Sequence, residues 1–133
     1  MIILDTHALL WVAQDEPRLG RQTRRLVDRE LPNDGVAYCA LSIWEIELLV
    51  HSRRLRLAGP PLAWRSGLLA KGFIELATDG LMAATAASFF GALRDPMDCL
   101  IAASALVHDA TLVTADARIL AWTQGPRLHD ASS

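Results

Sequence analysis

The chain has 133 residues, the size of one domain, and its 52% hydrophobic content supports a packed core and excludes a disordered tail. No apolar run is long enough to cross a membrane; the longest, Leu81 to Leu93, is interrupted by Thr85, Ser88 and Gly91. A net charge of −2 argues against a uniformly basic nucleic-acid binder.

The first residues, Met1-Ile2-Ile3-Leu4-Asp5, have no basic segment and meet a carboxylate at once, unlike a signal peptide. Ile2-Ile3-Leu4 is expected to form a short buried strand, followed by a helix from Thr6 to Ala13 that ends before Pro17. Arg18 to Leu31 is expected to form a second helix, closed by Pro32 and a turn at Asn33-Asp34-Gly35. Val36 to Ala40 reads as strand two. The next helix runs from Ser42 to about His51, with Ile43, Ile46, Leu49 and Val50 at helical spacing. Pro60-Pro61 opens a further helix, ended by Gly72, and Phe73 to Leu76 is strand three. Asp79 caps a helix of small residues reaching about Leu93. Asp95-Pro96 starts another, reaching about His108. Thr111 to Thr114 is strand four, a short helix follows through Trp122, and Arg127-Leu128-His129 is a stubby fifth strand. Alternating strands and helices without repeats or linkers predict one α/β domain over residues 1–133. Its architecture is a parallel sheet of four to five strands flanked by helices on both faces.

In such a sheet, sites form beyond the carboxyl ends of the strands. Asp5 directly follows strand one, Glu45 lies in the first turn of the helix after strand two, and Asp116 follows strand four. Asp98 lies in the first turn of its own helix. Four carboxylates meeting at one point repel one another unless a cation is present. All-oxygen ligation selects a hard ion, Mg²⁺ or Mn²⁺, which supports phosphodiester hydrolysis. Each acid also has a purely local explanation. Ser42-x-x-Glu45 fits a capping box, Asp98 sits at N3 behind the Asp95 cap, and Asp116 and Asp5 can each cap the following helix. Removing four negative charges from a net −2 leaves the rest of the chain at +2. Of 13 basic residues 12 are arginine, and they gather at Arg18, Arg21, Arg24, Arg25 and Arg29 and at Arg53, Arg54 and Arg56; each cluster alone reads as a solvated helix face.

Four stretches in order carry a family resemblance: Ile3-Leu4-Asp5-Thr6-His7-Ala8-Leu9-Leu10-Trp11, Leu41-Ser42-Ile43-Trp44-Glu45-Ile46, Arg94-Asp95-Pro96-Met97-Asp98-Cys99-Leu100-Ile101-Ala102-Ala103-Ser104-Ala105, and Leu112-Val113-Thr114-Ala115-Asp116. Along nearly the whole chain this pattern resembles the PIN-domain family, and within it the VapC-type toxins of toxin–antitoxin pairs. The resemblance implies a PIN-like fold, an endoribonuclease using Mg²⁺ or Mn²⁺ and metal-activated water, a homodimer, and inhibition by a small VapB-type antitoxin. It assigns Asp5, Glu45, Asp98 and Asp116 as the metal-binding catalytic acids, gives Thr114 a supporting role and makes Asp95 a cap or outer residue. Two positions depart from the common pattern: Leu93 stands where many relatives have histidine, and Cys99 where they have arginine. The alternatives are a PIN-like nuclease outside any toxin–antitoxin pair and a catalytically weak PIN-like binding module.

His7 is near enough to Asp5 to touch substrate or metal, though a histidine at a helix start is more often a surface group. Cys99, near a helix N-terminus, could carry a lowered pKa, but reads better as a packed small hydrophobe. Cys39 and Cys99 form no C-x-x-C and read as reduced thiols of a cytoplasmic protein. Trp11, Trp44, Trp64 and Trp122 could stack on bases; Trp11 and Trp44 lie on apolar helix faces and are expected in the core or at a subunit interface. A phosphoacceptor receiver domain needs an acidic pair after strand one and a late lysine, yet Thr6-His7 follows Asp5 and the only lysine is Lys71. A dehalogenase-like phosphatase needs Asp-x-Asp, and position 7 is histidine.

Overall fold

A computed structural model describes all residues, Met1–Ser133. Five strands, β1 (Ile2–Leu4), β2 (Val36–Cys39), β3 (Ile74–Leu76), β4 (Thr111–Thr114) and β5 (Arg127–Asp130), form one sheet in the order β3-β2-β1-β4-β5. Every pairing is parallel; Ile2 lies opposite Val36 on one side and Thr111 on the other. The helices are α1 (Thr6–Ala13), α2 (Arg21–Glu30), α3 (Ala40–His51), α4 (Pro61–Ala70), α5 (Gly80–Phe89), α6 (Pro96–Val107) and α7 (Ala117–Leu120), with a 3₁₀ turn at Leu31–Asn33.

Alternation along the strands builds a core on each face. Ile3, Ala37, Cys39 and Leu112 turn toward α5, α6 and α7, where Met82, Ala102 and Ile119 meet them. Ile2, Leu4, Val36, Tyr38 and Val113 turn the other way, against Leu9, Val27, Ile46 and Leu68 of α1 to α4. The expected sheet sandwiched by helices is present, and the fifth strand is real. No helix is long and apolar enough to cross a membrane.

Besides one-residue shifts such as the ends of β2 and β5 and the start of β3, four boundaries differ from the sequence expectation. Helix α2 starts at Arg21 rather than Arg18, because the end of the chain supplies its N-terminal partners: Gln22 and Thr23 N–H donate to the Ser133 carbonyl, and Gly20 N–H to Ala131. Helix α5 stops at Phe89 rather than near Leu93, where the chain turns through Gly91 at φ +134°, a conformation costly for any residue with a Cβ. Helix α7 ends at Leu120, and Trp122 lies beyond it, edge-on to Phe89 at 4.8 Å between ring centroids. Helix α3 starts at Ala40, directly after β2, and no side chain caps it. Ser42 is therefore inside the helix and Glu45 lies beyond its first turn, so the expected capping box does not form.

The other acidic caps do form. Asp5 accepts from Ala8 N–H, Asp79 from Met82, Asp95 from Met97 and Asp116 from Arg118, each bond 2.8–2.9 Å. Each satisfies one of the N–H groups that a helix start leaves unpaired.

Candidate active site

The strand order places a topological switch between β1 and β4: from β1 the chain builds outward to β2 and β3, then returns to β4 on its other side. The carboxyl ends of β1 and β4 therefore open onto a crevice that no crossover fills. Asp5 leaves β1 there, and Asp116 lies two residues beyond β4. The first turn of α6 brings Asp98, and α3, leaving the end of β2, brings Glu45. These four acids, with Asp95, Thr6, His7, Trp11 and Arg118, line a cavity of about 430 Å³.

Burial and mutual repulsion mark the electrostatics. Asp98 is pushed up to about 7, first by loss of solvent and then by Asp95, Asp116, Asp5 and Glu45. Burial also raises Asp5; the Thr114 hydroxyl, the Ala8 N–H and His7 oppose it, while Asp116 adds repulsion. Glu45 is raised by burial against a hydrogen bond from Thr6, with Asp95 and Asp5 repelling it and His7 attracting it. Asp98 thus feels Asp5, Glu45 and Asp116, Asp5 feels Asp116, and Glu45 feels Asp5, although these acids come from four separate parts of the chain. No three carboxylate, histidine or cysteine side chains are gathered closely enough to grip one ion as they stand. Asp5 and Asp116 each commit one oxygen to a helix N–H. The donor set nevertheless fits a hard divalent cation: carboxylate oxygens dominate, and no sulfur ligand faces the cavity.

Hydroxyl groups fix the acids. Thr6 Oγ1 donates to Glu45 Oε1 and lies 3.0 Å from Ser42 Oγ. A carboxylate cannot donate and Thr6 has one proton, so the buried Ser42 hydroxyl must donate to Thr6. Glu45 is thus aimed by a relay from α1 to α3. Thr114 is fully buried; its Oγ1 accepts from Asp116 N–H at 3.1 Å and faces Asp5.

The remaining candidates divide. Asp95 is both the cap of α6 and a wall of the cavity. His7 is exposed at the cavity rim. Cys99 is 3% exposed, and burial and Asp98 push its thiol up, against the lowering that a helix N-terminus suggested. Leu93 is buried, as is Cys39, whose thiol sits 3.0 Å from Ser104 Oγ. Trp44 is 56% exposed, so it is not a core residue. Trp11 is half-buried at the cavity wall, with the Arg18 guanidinium 4.9 Å from its ring centre. Sequence reasoning missed Arg118 and the role of Thr6. The short spacing Asp116-x-Arg118 hints at the first, but nothing local to Thr6 points to Glu45.

A PIN domain model matches residues 2–122 of the chain. Ribonuclease VapC22 of Mycobacterium tuberculosis is 33% identical over 122 residues, covering 89% of this chain and 88% of that protein. Among solved structures, VapBC2 from Rickettsia felis bound to a promoter DNA fragment superposes with a TM-score of 0.72 at 15% identity, over 97% of this chain and 98% of that one. DNA-bound VapBC from Salmonella typhimurium superposes with a TM-score of 0.71 at 20% identity, over 97% and 96%. The fold is that of these structures.

Proposed function

The chain belongs to the PIN-domain family, and on that premise we propose that it is a metal-dependent endoribonuclease acting as the toxin of a VapBC-type pair, with residues 1–133 as its single domain. The observation that carries this reading is the meeting of Asp5, Glu45, Asp98 and Asp116 on one cavity at the sheet's switch point. Capping alone gives no reason for acids from β1, α3, α6 and the end of β4 to repel one another. It gives none at all for Glu45, which caps nothing.

Asp5, Glu45, Asp98 and Asp116 would hold Mg²⁺ or Mn²⁺. When bound, the ion supplies an acidified water and charge stabilisation at a scissile phosphate. The protein's own groups prepare that site. Thr6 holds Glu45 toward the cavity, Thr114 steadies the β4 end between Asp5 and Asp116, and the caps at Ala8 and Arg118 fix the Asp5 and Asp116 rotamers. Trp11 and His7 form the wall against which an RNA strand would lie.

Exposed apolar side chains suit the protein partners of this reading, a second copy of the chain and a VapB-type antitoxin. The exposed apolar side chains available to them are Trp44 and Leu48 of α3, Leu62 and Leu69 of α4, and Leu81 and Phe90 at the two ends of α5. Light scattering of the isolated protein at tens of micromolar should give a dimer, and a monomer would count against the homodimer. Purified Asp5→Asn and Asp98→Asn, assayed on total RNA with Mg²⁺, test the catalytic assignment: both should fold and neither should cleave. Undiminished cleavage by both would sink it. Full retention of all four acids favours an enzyme over a weak binding module.

A further inference from the structure

A second cavity of about 380 Å³ adjoins the first and shares Asp95, Asp98, Asp116 and Arg118 with it; its outer wall is the Gly91–Arg94 segment and Ile119. The acids therefore stand at a seam between two hollows, with Arg118 on the seam and Arg94 at the far side. Resting on the ribonuclease reading, we propose that the second cavity is the track for the RNA strand on one side of the scissile phosphate, and that Arg118 and Arg94 bind the flanking phosphates there.

A phosphodiester has chain on both sides, so a cutting site at a seam needs a path in each direction. Five carboxylates repel that path. An ion held by them offsets charge at the scissile group only, so neighbouring phosphates need cations of their own. Arg94 and Arg118 are the cationic side chains of the second cavity. Arg94 is exposed and makes no ion pair. Arg118 has only a 3.7 Å contact to Asp116 Oδ1, with its side chain 84% exposed. Such an exposed pair is weak and readily exchanged for a phosphate, to which a guanidinium fork binds through two parallel hydrogen bonds. The backbone fixes the spacing: Arg118 N–H donates to Asp116 Oδ1 at 2.8 Å, which ties a phosphate-binding arm to a residue of the acid cluster. Arg118 and Arg94 are substrate-binding residues in this reading.

The test measures binding of a fluorescein-labelled, 2′-O-methyl phosphorothioate single strand of about a dozen nucleotides, which resists hydrolysis, by anisotropy in Mn²⁺ buffer across a salt series. Arg118→Gln should bind about tenfold more weakly, the loss of one charged contact. The slope of log K against log salt should fall by about 0.7 for Arg118→Gln and by about 1.4 for the Arg94→Gln/Arg118→Gln double variant. Arg118→Lys should restore the slope but not the full affinity, since it keeps the charge and loses the fork. The rise in melting temperature on adding Mn²⁺ should match wild type in every variant. Unchanged affinity and slope in both glutamine variants would overturn the proposal. So would a lost Mn²⁺ shift in Arg118→Gln with the RNA slope intact, which would make Arg118 a partner of Asp116 only. Wild type that neither cleaves RNA nor binds the strand would instead remove the ribonuclease reading.

Discussion

Neutralising Asp98 should stabilise the ion-free protein, although it removes an anion from the first turn of a helix. Asp98 rises from 3.8 to about 7 in the fold, through burial and the acids facing it. At about 1.4 kcal/mol per tenfold, that corresponds to at most about 4 kcal/mol of strain on the charged form. The side chain is half-buried, and solvent screening reduces this to about 2 kcal/mol. The opposing loss is the favourable helix-dipole contact of an acid at N3, worth about 0.3–1 kcal/mol. Repulsion and burial therefore win. The folded state holds a proton that the unfolded chain has already released between pH 4 and 7, so stability falls as pH rises through that window. Asp98→Asn should match wild type near pH 4 and exceed it by about 1–2 kcal/mol at pH 8, a gain of several degrees in a domain of this size. Thermal melts in chelator at pH 4 and pH 8 measure both. A gap that does not grow with pH, or an Asn variant less stable at pH 8, would refute the claim that Asp98 faces other carboxylates.

Millimolar Mn²⁺ should raise the wild-type melting temperature by several degrees, since tenfold excess over Kd is worth about 1.4 kcal/mol. Asp5→Asn and Asp116→Asn should lose most of that rise; equal shifts in all three proteins would mean these acids share no ion. Thr6→Val leaves Glu45 unheld and Ser42 buried without its partner, so it should cost about 1–3 kcal/mol in denaturant melts and lower cleavage. Normal activity in that variant would remove the relay. Glu75→Gln weakens the bonds from Arg65 and Tyr38 at the sheet's far edge and should cost about 1 kcal/mol while leaving cleavage intact. Gly20→Ala would drive a Cβ into the Ser133 backbone and should cost about 1–3 kcal/mol, read from the denaturation midpoint.

Strand and helix identity followed from local chemistry. Three-residue apolar runs such as Ile2-Ile3-Leu4 satisfy both sheet faces, and aspartates at Asp5, Asp79, Asp95 and Asp116 cap the helices behind them with no help from distant residues. The order of four acid-bearing stretches was legible for the same reason, and so was the family. Local chemistry also misled. Ser42-x-x-Glu45 has the spacing of a capping box, but β2 passes into α3 without a break, and the serine instead serves Thr6 from 36 positions away. The start of α2 was displaced by carbonyls of Ala131 and Ser133, which no window around Arg18 contains.

The sequence by itself determined which groups could act: their charge, their hardness as ligands and their place at the ends of strands and helices. Tertiary structure alone decided that they act together. Sheet order set β1 beside β4 and opened the crevice, and packing α3 and α6 against opposite faces turned Glu45 and Asp98 into it. Burial and repulsion lift Asp98, and the repulsion reaches it from as far along the chain as Asp5, 93 positions away, so it is a property of the fold and of no segment within it.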